Sequence, residues 1–227
     1  LSLGGRRNCR TPAVAMNPKT RHELWNGQAG PIEVSIDEPA TPLRGLAVIA
    51  HPHPLFGGTK DNKVVQTLAR AFLQMGYATL RFNFRGVGQS AGEHDNGQGE
   101  TDDLVELTEL ARTTLLPAEL QLAPIAMAGF SFGAFVTSHG AQRLREAGTN
   151  VGKLVLVGTA TSRFKVAAVP DNTLVIHGEV DDTVPLTDVL RWAGEQNLPV
   201  MVMPGVEHFF HGKLPQLKEL VVRYYPS

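Results

Sequence analysis

Several short runs in this chain are apolar at consecutive positions, and a β-strand can be apolar on both faces only where both faces are covered. Gly45–Ala50 reads Gly-Leu-Ala-Val-Ile-Ala, and Tyr77–Phe82, 122–128, 153–157, 173–177 and Val200–Met203 obey the same rule. Amphipathic stretches at 62–75, 102–115, Phe132–Glu146, 187–196 and 215–225 separate or follow these runs. In 62–75 the residues Val64, Val65, Leu68, Ala69, Phe72 and Met75 recur at spacings of three and four, which gives a helix one stripe to lay on a sheet. Strands alternating with helices predict an α/β chain with a mostly parallel central sheet of about eight strands flanked by helices. Segments 22–26 and 32–37 read as a preceding hairpin.

The 227 residues suffice for one domain with a sizeable core and no staples. The chain's one cysteine, Cys9, excludes an intramolecular disulfide framework and makes a reducing, cytoplasmic setting the expectation. A formal net charge of -1 without runs of like charge argues against nucleic-acid binding. No apolar stretch approaches the roughly 20 residues that a membrane-crossing helix needs. Residues 1–15 carry Arg6, Arg7 and Arg10 and no apolar periodicity. They are expected to be a disordered upstream extension before a single domain over 16–227, an Arg-rich organelle presequence being the competing reading.

In a parallel sheet, ligands bind beyond the carboxyl ends of the strands, so the loops there are where chemistry is expected. After 122–128 comes Gly129-Phe130-Ser131-Phe132-Gly133, with a helix to follow. A nucleophilic serine has to project from a sharp strand-to-helix turn, and glycines two residues either side allow the close approach that such a turn forces. The competing reading is a glycine-softened turn carrying an incidental serine.

A serine needs a base, and the base needs a carboxylate to hold its tautomer. Gly178-Glu179-Val180-Asp181-Asp182-Thr183-Val184-Pro185 follows one strand, and Pro204-Gly205-Val206-Glu207-His208 follows the next. Asp181 is the expected acid, with Asp182 either serving instead or capping the helix that Pro185 opens. His208 is the expected base. Its alternatives are a surface or core-edge histidine, or a metal site shared with His211, which lacks an evident third ligand.

The loop His51-Pro52-His53-Pro54-Leu55-Phe56-Gly57-Gly58 must supply one backbone N–H to an oxyanion, the partner being the N–H of Phe132. Proline has no N–H, which leaves His53 or Leu55, and spacing from the strand favours His53. The imidazoles of His51 and His53 are expected to hydrogen-bond within the loop. Gly86, Gly88 and Ala91 fit a loose dinucleotide pattern, but no helix is expected to open there, and Gly57-Gly58-Thr59-Lys60 lacks phosphate-loop spacing.

These residues together resemble the α/β-hydrolase superfamily, and within it the small lidless hydrolases marked by a His-Pro-His-Pro-Leu-x-Gly-Gly loop, here 51–58. Arg-Phe-Asn-Phe-Arg-Gly-Val-Gly-x-Ser at 81–90, the serine elbow at 129–133, His-Gly-x-x-Asp-x-x-Val-Pro at 177–185 and Gly-x-x-His-Phe-Phe at 205–210 complete the match. The resemblance implies the α/β-hydrolase fold and a triad of Ser131, Asp181 and His208. Asn83, where many relatives carry Asp, reads as structural.

Only about 14 residues, 159–172, separate Gly158 from the next strand, which leaves no room for a cap domain. An open site favours small or surface-presented acyl esters hydrolysed by water, with no cofactor and no metal. Leu55, Phe56, Phe130, Phe132 and Phe209 or Phe210 are candidates for an apolar acyl-binding wall, the alternative for Phe130 and Phe132 being burial beneath the elbow. A thioesterase or peptidase would use the same triad, and a noncatalytic binding protein on this fold is the reading from another class. The sequence leaves a homodimer through a sheet edge or the uncapped rim undecided.

Overall fold

The computed structural model describes residues 19–225, so the expected extension at 1–15 lies outside the described residues. Eight strands form one sheet among the described residues, in the order Arg21–Gly27, Gly30–Asp37, Tyr77–Phe82, Gly45–Ala50, Ile125–Phe130, Val151–Val157, Leu174–Gly178, Val200–Met203. The hairpin is β1 (Arg21–Gly27) and β2 (Gly30–Asp37), and β2 also runs antiparallel to β4 (Tyr77–Phe82). The other strands, β3 (Gly45–Ala50), β5 (Ile125–Phe130), β6 (Val151–Val157), β7 (Leu174–Gly178) and β8 (Val200–Met203), are parallel to one another and to β4.

Two hydrophobic layers explain the run-on apolar strands. Leu46, Val48 and Ala50 of β3 face a cluster that includes Leu104, Leu107, Phe132 and Val136, on the side of α2 (Gln98–Leu115) and α3 (Phe132–Glu146). Ala47 and Ile49 face the opposite cluster, with Val65, Leu68 and Phe72 of α1 (Lys63–Gln74) and Leu217 and Val221 of α5 (Leu214–Tyr224). Alternate residues of one strand are thus buried on opposite sides. A smaller cluster of Val175, Val184 and Val189 seats α4 (Leu186–Gly194) near β7.

Boundaries of β5, α2 and α4 depart from the sequence expectation. The run at 122–128 does not start a strand: Leu122 is 87% exposed, and β5 begins at Ile125, whose N–H donates to Asn150 O at 2.9 Å. Pro124 has no N–H to give a central ladder, and this sets the limit. At the other end β5 continues through Gly129 and Phe130, so the elbow begins inside the sheet. Helix α2 starts at Gln98, four residues before the polar, Gly-rich sequence suggested, because the buried Glu100 carboxylate accepts the N–H groups of Asp95 (3.0 Å) and Gly97 (2.8 Å) and thereby ties down the helix entrance. Pro185 is the residue before α4 and not its first.

Between β6 and β7 the chain carries turns and no helix or strand, so the sheet's carboxyl end is uncovered there. Among the described residues no helix is long and apolar enough to cross a membrane.

Candidate active site

Strand register brings five loops to one place. Ala50 of β3 pairs with Gly129 of β5, Phe130 with Val157 of β6, Val157 with Ile176 of β7, and Gly178 with Met203 of β8. The loops that follow these paired positions begin at one end of the sheet.

Ser131 occupies the turn between β5 and α3 with φ 57° and ψ −117°, a region that side-chain-bearing residues adopt at a cost in strain. The elbow is held by Ser131 N–H donating to Val157 O at 2.9 Å. A Cβ on Gly129 would lie 2.5 Å from Gly133 C, and one on Gly133 would lie 2.5 Å from Ala50 O, so the turn and β3 pack where only hydrogen fits. The serine Oγ stands 3.1 Å from His208 Nε2, and His208 Nδ1 stands 2.6 Å from Asp181 Oδ2. A carboxylate only accepts, so the imidazole proton sits on Nδ1 and the Nε2 lone pair is left to receive the serine hydroxyl. All three residues are at least nine-tenths buried.

The Asp181 carboxylate is fully engaged. Its Oδ1 accepts the N–H groups of Thr183 (2.9 Å) and Val184 (2.7 Å), while Oδ2 accepts from His208. Burial pushes its pKa up, and the His208 and Val184 hydrogen bonds outweigh that, holding the carboxyl below the usual aspartate range. Asp182, the alternative acid, is exposed and meets only the hydroxyl of its neighbour Thr183 at 3.3 Å; it neither reaches His208 nor caps α4, which has no side-chain cap.

Phe132 is the first residue of α3, so its N–H has no carbonyl to meet within the helix. The N–H of His53 meets no acceptor among the described residues, whereas the Leu55 N–H is directed at His53 Nδ1 at 3.3 Å. This separates the two expected donors: the Leu55 amide is engaged within its own loop, and its side chain lines a different depression, beside Arg85 and His94. His51 is buried, donating from Nδ1 to Pro52 O at 2.6 Å and accepting the Phe84 N–H on Nε2 at 2.9 Å. Its role is structural.

A depression of about 330 Å³ opens over Ser131 and His208, bounded by Pro52, His53, Phe56, Asn62, Arg163 and Phe209 among others. Of the expected apolar wall, Phe56 and Phe209 line it and are exposed, whereas Phe130, Phe132 and Phe210 are wholly buried. Phe130 packs against the His208 ring at 4.9 Å between centroids, and Phe132 packs with Phe84 and Phe164. The sequence carries no signal for Arg163 at this place, since it lies neither in a periodic segment nor directly after a strand, whereas Asn62 and Thr183 lie in a periodic stretch and a strand-end loop without standing out there. His211 pairs with Glu207 at 2.9 Å, and no group of three or more metal-ligating side chains occurs among the described residues.

A strained serine at a strand-to-helix turn, a histidine in reach of it and a buried carboxylate behind define the class of α/β serine hydrolases, here without a lid. The chain belongs to the Hydrolase_4 family, described as serine aminopeptidase, S33, whose model matches residues 43–189. An uncharacterized protein of Rickettsia prowazekii is 30% identical over 213 residues, covering 88% of this chain and 86% of its own. Among solved structures, an α/β serine hydrolase without lid from Xanthomonas campestris is 33% identical with a TM-score of 0.82, over 92% of this chain and 94% of that one. An α/β serine hydrolase homologue from Coxiella burnetii is 37% identical with a TM-score of 0.78, over 91% and 97%.

Proposed function

We propose that this chain hydrolyses small or surface-presented acyl esters through Ser131, His208 and Asp181. The observation that carries the reading is the unbroken hydrogen-bond series from Ser131 Oγ to His208 at 3.1 Å and from His208 to Asp181 at 2.6 Å. Ser131 Oγ attacks the ester carbonyl while His208 Nε2 takes its proton, and the carbonyl electron pair moves onto oxygen. The N–H groups of Phe132 and His53 receive that oxyanion, each such donor being worth about 10²- to 10³-fold in rate. His208 then returns the proton to the departing alcohol, and water repeats the sequence on the acyl-serine to release a carboxylic acid. Asp181 holds the imidazole in the required tautomer and stabilises its charge after proton uptake. No metal and no organic cofactor takes part in these steps.

The uncovered depression supports small or exposed esters, because it holds part of a substrate and leaves the rest in solvent. Cys9 as the chain's one cysteine supports a reducing, cytoplasmic setting.

The test is hydrolysis of p-nitrophenyl esters of increasing acyl length by the wild type and Ser131→Ala, with a fluorophosphonate label located by mass spectrometry. Turnover of short esters, lost in Ser131→Ala, with the label on Ser131, is the expected result. Labelling without ester turnover would move the substrate to thioesters or amides. Absence of both labelling and turnover would sink the hydrolase mechanism and leave a binding protein.

A further inference from the structure

We infer that Arg163 and Phe56 form an anion-accepting end of the Ser131 depression, so that the preferred acyl group carries a carboxylate at its far end. The inference rests on the ester-hydrolase reading above and narrows its substrates to monoesters of short dicarboxylic acids.

The depression is lined by no aspartate and no glutamate. Arg163 is exposed, forms no ion pair among the described residues, and has its guanidinium 5.9 Å from the centre of the Phe56 ring. Lys60 is buried between Glu33 (3.1 Å) and Asp61 (3.0 Å), Arg85 is paired with Asp103 at 2.7 Å, and neither lines this depression. Arg163 is therefore the one fully charged side chain of this depression among the described residues without a counter-charge.

The neutral polar groups match it. Asn62 spends its side-chain oxygen on the Val64 N–H at 2.9 Å, which leaves its amide hydrogens for the depression. His53 accepts the Leu55 N–H on Nδ1, so its neutral ring carries the proton on Nε2. The lining thus offers hydrogen-bond donors and a guanidinium, and a carboxylate is an acceptor-only group that such a lining suits.

The same geometry assigns the anion to the acyl part. His208 must protonate the leaving alcohol, and its ring packs with Phe130 and Phe209 (5.1 Å), which places the alcohol on that side. Arg163 goes with the His53 loop: its guanidinium lies over Phe56, which contacts the His53 ring at 4.8 Å, beside the proposed oxyanion donor. Hydrolysis there splits the ester C–O bond with one water and yields the free alcohol and a dicarboxylate.

The experiment compares kcat/KM for mono(4-nitrophenyl) adipate with that for the neutral isostere 4-nitrophenyl 6-methylheptanoate, in the wild type, Arg163→Gln, Arg163→Lys and Arg163→Glu. The wild-type preference for adipate should fall about tenfold in Arg163→Gln, the size of a partly exposed charge-assisted hydrogen bond, be largely kept in Arg163→Lys and fall further in Arg163→Glu. Equal preference ratios in the wild type and Arg163→Gln would overturn the inference while leaving the ester-hydrolase reading intact. Turnover of neither ester by the wild type would count against that reading, and calorimetric binding of monophenyl adipate then decides the subsite. A Kd about tenfold weaker in Arg163→Gln than in the wild type supports it, and equal Kd values, or no binding by the wild type, reject it.

Discussion

His177 and Asp181 stand four residues apart with His177 Nε2 only 3.4 Å from Asp181 Oδ2, the same oxygen that His208 reaches. The His177 ring donates from Nε2 to Val184 O at 2.9 Å, and Val184 N–H in turn donates to Asp181 Oδ1. Burial pushes the His177 pKa down, against the opposing pull of the Val184 carbonyl and the Asp181 charge, and the net lowering keeps this ring neutral. A neutral His177 does not compete with His208 for the carboxylate's charge. It fixes the turn that carries the carboxylate.

His177→Gln is therefore expected to lower kcat on a p-nitrophenyl ester by about 10- to 100-fold with KM within about twofold, since a small misplacement of the acid is felt at the reacting atoms. Steady-state kinetics on the folded variant check this. Unchanged kcat would show that the backbone amides of Thr183 and Val184 hold Asp181 without help.

The two adjacent aspartates should separate cleanly. Asp181→Asn leaves the hydrogen-bonding shape but removes the charge and allows the wrong imidazole tautomer, so kcat should fall by about 10³- to 10⁴-fold, as in other triads of this kind. Asp182→Asn alters an exposed side chain that touches only Thr183, and its kcat should stay within about twofold. Comparable losses in both variants would contradict the assignment of Asp181.

What was legible in the sequence was what local chemistry enforces over a few residues. Gly129 to Gly133 could be read because the turn admits hydrogen alone at its two ends, and the order of Ser131, Asp181 and His208 could be read because parallel strands deliver successive loops to one rim. The starts of β5 and α2 were not legible. One depends on Pro124 being barred from a ladder with neighbours that the sequence does not name, the other on Glu100, a buried carboxylate in a stretch that looks like loop. Arg163 was illegible for the same reason: it reaches the site from a stretch without periodicity, and only the packing of Phe56 and Phe164 around His53 brings it there.

Gly133→Ala should destabilise the fold, because the added methyl group meets the carbonyl oxygens of Ala50 and His51, which are backbone atoms of a central strand end and cannot swing away. A loss of about 3 kcal/mol or more is expected, seen as a fall of about 10 °C in Tm. Gly194→Ala is the control: nothing lies within 4 Å of the added carbon at the end of α4, and its Tm should hold or rise slightly. Equal Tm values for the two variants would mean that the elbow can separate from β3.

His51 gives the fold a built-in sensitivity to acid. Burial, foremost, holds its pKa down to about 3, with the nearby Lys60 and His53 charges also opposing protonation, and Asp61 and the Pro52 carbonyl only partly resisting. The unfolded chain protonates this ring below about pH 6.5, whereas the folded chain does not until about pH 3. The stability that the neutral ring confers is therefore complete above pH 6.5 and is lost as pH falls from there toward 3, by an amount on the order of several kcal/mol. Replacing His51 by Gln removes the titrating group while keeping an acceptor for the Phe84 N–H, so His51→Gln should start with a lower Tm at pH 7.5 but lose less between pH 7.5 and 5. Thermal melts of both proteins across that range test this. Parallel Tm curves would show that other groups, and not this ring, carry the acid sensitivity.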